Sequence, residues 1–296
     1  MAGLTRRQFC LAGAAISLLG GRAMAQPAMS GVPLPDGSKA PALGQGSWHL
    51  ALGRHPAAEE EAALRTGISL GMTLLDTAEL YGEGRAERMI GRVIAGQRDK
   101  VFLVSKVLPY HATTADGIRQ ACMGSLSRLG THYLDLYLLH WRGDVSDLSV
   151  VVNTFESLRG EGRIRRWGVS NFDVADMEDL FRVPGGNACA ANQVLYNLTQ
   201  RSIEADLLPW CIQHGLPIMA YSPLGMTGGL LSNAALTRVA QRHQRSPAAV
   251  ALAWTMRSGH VIAIPESGSP DHVKENASAL SLRLTEQDVN ELSHGF

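Results

Sequence analysis

A carboxylate, Asp76, ends the short apolar run Thr73-Leu74-Leu75, and five residues later a phenol, Tyr81, is followed by Gly82 and Gly84. The apolar run reads as a buried strand, and the glycines place the tyrosine on a tight loop rather than in a regular element. A carboxylate and a phenol at one strand exit are groups that can pass protons. Taken alone they also suit a helix-capping Asp and a packing Tyr, so the stretch needs partners. Two further proton-capable groups end apolar runs: Lys106 closes 101–106 and His140 closes 134–140. Each has an ordinary alternative, a solvated strand end for the lysine and a core histidine for the imidazole.

The elements that would position these groups alternate regularly. Strands are predicted at 43–46, 73–76, 101–106, 134–140, 164–169, 191–195, 217–221 and 261–264. Between and after them, helices are predicted at 56–70, 85–94, from 113 in the manner of a capping box, 154–159, 175–181, 204–213, 234–242, 247–257, from 270 and from 285. Alternation of this kind over about 250 residues predicts a (β/α)8 TIM barrel. A doubly wound sheet is the alternative, since periodicity does not distinguish closed from open, but no G-x-G-x-x-G follows the first strand. No linker or internal repeat divides the chain. In such barrels chemistry sits at the C-terminal strand ends. That rule gathers Asp76, Tyr81, Lys106 and His140 at one rim, where four such groups are hard to explain as packing.

Composition sets the outer bounds. The 296 residues are 45% hydrophobic and 18% charged, which suits a globular chain. Lys+Arg and Asp+Glu balance at 27 each, so no basic field attracts nucleic acid. The N-terminus differs in kind: Thr5-Arg6-Arg7-Gln8-Phe9-Cys10-Leu11 precedes an apolar stretch through Leu19, and Ala23-Met24-Ala25 offers a cleavage site. Residues 1–25 therefore read as a twin-arginine signal, with the translocase as partner, a barrel domain over 26–296 and a periplasmic location. A disordered tail or membrane anchor is the alternative, and an inefficient signal would leave the protein in the cytoplasm. Nothing later approaches the roughly 18 apolar residues of a spanning helix. Cys122, Cys189 and Cys211 are odd in number and far apart, so packing is expected of them. No C-x-x-C or histidine cluster offers a metal site, which leaves a metal-dependent hydrolase without ligands.

The chain resembles the aldo-keto reductase family. The resemblance rests on Asp76-Thr77-Ala78-x-x-Tyr81-Gly82, Ser105-Lys106, Leu138-Leu139-His140-Trp141, Gly168-Val169-Ser170-Asn171, Asn192-Gln193-Val194-x-Tyr196 and Ala220-Tyr221-Ser222-Pro223-Leu224-Gly225. These run in the family's order from about residue 34 onward. The resemblance implies reversible carbonyl reduction with NADP(H) or NAD(H). Tyr81 is implied as acid/base, with Lys106 lowering its pKa, Asp76 holding the ammonium and His140 orienting the substrate oxygen. Asn171 and Gln193, with Ser170 beside them, would pair with the nicotinamide carboxamide, and Tyr221 would stack on the ring. Ser222, Leu224 and Gly225 would line the pyrophosphate. Trp48 and Trp141 would wall the substrate mouth, although either could be core.

The stretch after the eighth strand departs from the family pattern. Glu275 and Asn276 match the family's adenine-contacting pair, and Ser267 keeps its place in the cofactor loop. Many members carry Lys where Glu266 stands and Arg where His272 stands, to hold the cofactor's 2′-phosphate. A carboxylate there would repel phosphate and accept a hydrogen bond from a free ribose 2′-OH, which leans toward NADH unless Lys274 swings in. A short tail after the last helix predicts an open pocket and modest discrimination among small aldehydes and ketoaldehydes such as methylglyoxal. A monomer is expected. The reading from another class is a nucleotide-binding regulatory subunit without turnover, which the complete set of four groups disfavours.

Overall fold

The computed structural model describes residues 31–226 and 228–296. The expected leader at 1–25 lies outside the described residues. At the described start, β1 (Val32–Pro33) and β2 (Lys39–Ala40) form an antiparallel hairpin. Eight parallel strands follow: β3 (Gly44–Gly46), β4 (Leu74–Asp76), β5 (Phe102–Val107), β6 (Leu136–Leu139), β7 (Trp167–Ser170), β8 (Asn192–Leu195), β9 (Ile218–Tyr221) and β10 (Val261–Ile264). They pair in chain order from β3 to β10. Almost every strand residue is buried, as expected for parallel strands covered on both faces. The ring closes through bridges Leu43–Ala263 and Gly46–Glu266. There the Ala263 N–H donates to the Ala42 carbonyl and the Gly46 N–H to the Pro265 carbonyl, each at 2.9 Å. This is the (β/α)8 barrel, and the open-sheet alternative falls with that closure.

The helices wrap the barrel: α1 (Ala57–Ser69), α2 (Arg85–Ile94), α3 (Ala115–Leu129), α4 (Leu148–Gly160), α5 (Val174–Arg182), α6 (Leu207–Gln213), α7 (Ala234–His243), α8 (Pro247–Thr255), α9 (Pro270–Ala277) and α10 (Glu286–His294). Several start where a side chain accepts the first free N–H. Asp173 caps α5, Asn233 caps α7 and Ser246 caps α8 ahead of Pro247. Thr114 caps α3 by accepting from Gly117, but Gly117 has no side chain to reach back, so the expected capping box is absent there. The complete box sits at Thr285 and Asp288, ahead of α10.

Three parts of the fold differ from the sequence expectation. The α4 helix begins at Leu148, capped by Asp147, well before residue 154. Its Val150-Val151-Val152 run favours a strand locally, and burial of Leu148, Val151, Val152 and Phe155 overrides that preference. The α6 helix starts only at Leu207, after a separate turn of 3-10 helix at Ser202–Glu204. The β1–β2 hairpin is too short for periodicity to reveal. Its Val32, Leu34 and Ala40 pack with Leu74, Leu136 and Ile262, near the starts of their strands, and so close the end of the barrel away from the strand exits. Cys122, Cys189 and Cys211 are buried and unpaired, as packing residues.

One buried charge ties helices to the strand that carries Lys106. Glu87, on α2, is fully buried and accepts from the Ser105 hydroxyl at 2.7 Å and from Arg128 Nε on α3. Alternation along β5 turns Ser105 outward where Lys106 turns inward. Replacing Glu87 with Ala leaves both donors without an acceptor and should cost about 3 kcal/mol. The measurement is the urea midpoint of the variant, which should fall with the slope unchanged; an unaltered midpoint would show that solvent replaces the carboxylate freely.

Candidate active site

Lys106 organises the rim. Its side chain is fully buried, so its ammonium must find three acceptors within the protein. It donates to Asp76 Oδ2 at 2.8 Å, to the Thr77 carbonyl at 2.9 Å and to Tyr81 Oη at 3.2 Å. The second Asp76 oxygen accepts from Gln193 Nε2 at 2.8 Å, a bond reaching across the barrel from β8. The Ser47 hydroxyl, on the loop after β3, donates to the Asp76 carbonyl at 2.9 Å. Burial alone would pull the Lys106 pKa down, but Asp76 and Tyr81 outweigh it and the net direction is up, so the ammonium stays charged.

Tyr81 reaches this charge from a loop with three successive positive φ angles, at Gly82, Glu83 and Gly84. The loop is held from behind by Glu79, whose Oε1 accepts from the Leu108 N–H at 2.8 Å and lies 3.0 Å from His111 Nδ1. Burial pushes the Tyr81 phenol up, the Lys106 ammonium pulls it down, Asp76 adds to the rise, and the net direction is up. Lys106 lowers the phenol's pKa as expected, but desolvation of the phenolate is the larger influence. At neutral pH Tyr81 therefore keeps its proton, with an oxygen already accepting from Lys106.

His140 follows β6 directly, its ring edge-on to Tyr81 with centroids 5.7 Å apart. Burial first and the Lys106 charge second pull its pKa down to about 3, so the ring is neutral. Its Nδ1 is sealed in with no partner, whereas Nε2 is not sealed. An orphaned N–H costs more than an orphaned acceptor, which places the proton on Nε2. That nitrogen is left to the cavity His140 lines, about 620 Å³ in volume, with Tyr81, Asp76, Trp48 and Trp141 in its walls.

One side of the cavity is built from the ends of β7, β8 and β9. Asn171 adopts φ +59°. It donates from Nδ2 to the His140 carbonyl and to Ser170 Oγ, both at 3.1 Å, and accepts the Tyr221 hydroxyl at 3.0 Å. The half-buried Tyr221 presents its ring to the cavity beside Ser222, Leu224 and Gly225, where Ser222 and Gly225 have positive φ. Gln193 spends its N–H on Asp76 and leaves its carbonyl without a donor among the described residues. An aromatic face flanked by an open amide oxygen fits a planar ring bearing a carboxamide.

The loop after β10 is arranged differently from the sequence expectation. Glu266 lines the cavity, but both its oxygens are engaged: Oε2 accepts the His49 N–H at 2.8 Å and Oε1 lies 3.0 Å from His49 Nδ1. Each carboxylate oxygen still has a lone pair to spare after these bonds. His272 and Ser267 face a second cavity of about 220 Å³ on the other side of Glu266, lined also by Arg54, His55 and Glu60. Lys274 is paired with Asp271 at 2.8 Å. Glu275 is exposed and Asn276 buried on α9, and neither lines either cavity. No group of three or more His, Cys, Asp or Glu among the described residues is placed to hold a metal. Glu79 and His49 carry no motif, and only their contacts across the chain identify them.

The Aldo/keto reductase family model matches residues 42–294. The chain is 49% identical over 260 residues to the methylglyoxal reductase YeaE of Escherichia coli (strain K12), spanning 86% of this chain and 91% of that protein. The crystal structure of an aldo/keto reductase from Klebsiella pneumoniae in complex with NADP and acetate superposes with a TM-score of 0.84 at 46% identity, covering 89% of this chain and 94% of that one. An aldo-keto reductase from the same organism in complex with NADPH gives a TM-score of 0.84 at 45% identity over the same shares.

The depressed His140 pKa has a consequence for stability. The folded value, about 3, lies below the ordinary 6.5, so the unfolded chain binds the proton first as pH falls. Stability from this group is complete above pH 6.5 and declines from there down to pH 3. At pH 5 the loss should be about 2 kcal/mol. Denaturant melts of wild type and His140→Gln at pH 7 and pH 5 should show the gap between them narrowing by that amount; a constant gap would mean the imidazole protonates in the fold.

Proposed function

The chain belongs to the aldo/keto reductase family, and from that premise we propose that Tyr81 is the proton donor in the reduction of small aldehydes and ketoaldehydes, methylglyoxal among them. The protein is an NAD(P)H-dependent carbonyl reductase. The observation that carries the role of Tyr81 is its oxygen, 3.2 Å from an ammonium that is otherwise saturated, at the wall of an open cavity.

Nicotinamide, when bound, supplies the hydride to the carbonyl carbon. Tyr221, with Asn171 and Gln193, would hold its ring and carboxamide, with Ser170 buttressing Asn171 and with Ser222, Leu224 and Gly225 along the pyrophosphate. As charge builds on the carbonyl oxygen, Tyr81 gives up its phenolic proton. The Lys106 ammonium stabilises the phenolate left behind, and Asp76 keeps that ammonium charged and in place. Neutral His140 donates from Nε2 to the same carbonyl oxygen and fixes its angle. Solvent at the cavity mouth returns the proton to Tyr81, and each step reverses for alcohol oxidation.

Small substrates are supported by the cavity, walled by Trp48 and Trp141 with no residue after Glu266 in its lining, and by the methylglyoxal reductase relative. We read the enzyme as accepting NADH alongside NADPH. Glu266 and His272 replace the cations that grip a 2′-phosphate in many family members, and Lys274 is held by Asp271. The absence of those cations supports this reading. The paired Arg6-Arg7 and the Ala23-Met24-Ala25 site support export through the twin-arginine translocase to the periplasm, and a cavity completed within one chain suits a monomer.

Turnover of a panel of small aldehydes, followed by loss of reduced-nicotinamide absorbance, tests the chemistry. Tyr81→Phe should lower kcat by about 10³-fold while still binding nucleotide; retained turnover would overturn the assignment. In the same assay kcat/KM with NADH should lie within about tenfold of that with NADPH, and a gap of about a hundredfold in favour of NADPH would defeat the cofactor reading. Cell fractionation should find the chain shortened by residues 1–25 in the periplasm, and full-length protein confined to the cytoplasm would rule out export.

A further inference from the structure

Trp48 is an exposed aromatic on a loop, yet it forms a wall of the catalytic cavity. A side chain 46% exposed has little packing of its own to hold it. Its ring is stacked on the neighbouring His49 ring, with centroids 4.4 Å apart and planes at 27°. His49 in turn is gripped twice by Glu266, at its backbone N–H and at Nδ1. Glu266 is a fixed point, because its backbone is bridged to Gly46 at the closure of the barrel, where the Gly46 N–H donates to the Pro265 carbonyl. The sequence of contacts runs from the barrel seam to the carboxylate, then the imidazole, then the indole.

We infer that Glu266 and His49 are positioning residues for the substrate wall, holding Trp48 against the cavity mouth. The inference rests on the carbonyl reductase reading. Bidentate engagement fixes both the position of the loop, through the backbone N–H, and the plane of the His49 ring, through Nδ1. The stacked indole inherits that plane. Without the carboxylate, the His49 N–H turns to solvent, the ring is free to rotate, and Trp48 loses the surface that orients it. A substrate bound against that wall then pays the cost of ordering the loop. The direct partners of the Tyr81 hydroxyl, Lys106 and through it Asp76, belong to other contacts, and Glu266 reaches the phenol only through its charge, a smaller upward influence than burial or Asp76.

The test compares wild type, Glu266→Ala, Glu266→Gln and His49→Ala with NADH as the nucleotide, so that no 2′-phosphate meets the altered charge. Glu266→Ala should raise the carbonyl KM about fivefold, with kcat and the NADH dissociation constant within about twofold of wild type. Glu266→Gln keeps an acceptor for the His49 N–H and should recover most of the loss. His49→Ala, which keeps the backbone N–H but removes the stacked ring, should raise KM as well. Acrylamide quenching of Trp48 fluorescence, obtained by difference against Trp48→Phe, should increase in Glu266→Ala and in His49→Ala. A changed NADH dissociation constant with an unchanged carbonyl KM would assign Glu266 to the cofactor and overturn the inference, as would unaltered Trp48 quenching in both variants. The quenching readout needs no turnover, so a wild type inactive on every carbonyl would refute the function while still deciding this inference.

Discussion

A fully buried ammonium is expensive unless each of its three donors meets an acceptor, and Lys106 meets that condition with no acceptor to spare. The requirement propagates outward. Asp76 must lie at the exit of the strand adjoining β5, which the register of β4 with β5 provides. The Thr77 carbonyl must turn inward, and the Thr77 N–H donating to the Val104 carbonyl at 3.0 Å holds it there. The third acceptor can come only from a loop long enough to fold back, and this places Tyr81. The proposed proton donor and the solution to a burial problem are thus the same group. Gln193 and Ser47 then lock Asp76 from β8 and from the loop after β3, so the cluster draws on distant parts of the barrel.

Legibility in the sequence followed how local the cause was. Strand ends were readable because apolar runs stop at polar residues: β10 and α2 lie where the pattern places them, and Asp76 closes β4. The meeting of Asp76, Tyr81, Lys106 and His140 was readable because a barrel puts consecutive strand exits on one rim. Closure of the ring was not, since it depends on bridges between residues more than 200 positions apart, such as Gly46 and Glu266. The start of α4 was hidden by β-branched residues whose burial, not their propensity, decides their state. The net direction of the Tyr81 shift needed the structure too, because desolvation and a nearby cation oppose each other and only the depth of burial says which is larger. Nothing in the sequence singles out Glu79 or Glu87, and Glu266 is expected there only to face the nucleotide, yet each joins separate segments through its acceptors.

The site divides into a fixed floor and a loop-borne rim. The floor is strand residues and their immediate neighbours, buried and hydrogen-bonded around Lys106, which suits groups that must be placed to within a fraction of an ångström. The rim carries Trp48 and Trp141 on loops, and each is held through the residue that follows it. His49 binds Glu266, and Arg142 Nη1 donates to Asp176 and Asp179 on α5. On the proposed roles, the hydrogen bonds of the ammonium are thereby separate from those that hold the substrate wall.

One charge also sets two protonation states. The Lys106 ammonium opposes the upward push of burial on Tyr81, favouring the phenolate that forms when the proton leaves, and the same charge helps keep His140 neutral. A cationic His140 would compete with Tyr81 as the acid and add a second buried positive charge beside the first. In the proposed mechanism a neutral one donates a hydrogen bond from Nε2 and orients the carbonyl without taking over its protonation. Asp76 balances the ammonium, which leaves the cluster neutral before the reaction and negative by one when Tyr81 has given its proton away. That excess charge is stabilised by the nearest fixed cation, at hydrogen-bond distance in a low-dielectric setting, where such an interaction is strongest.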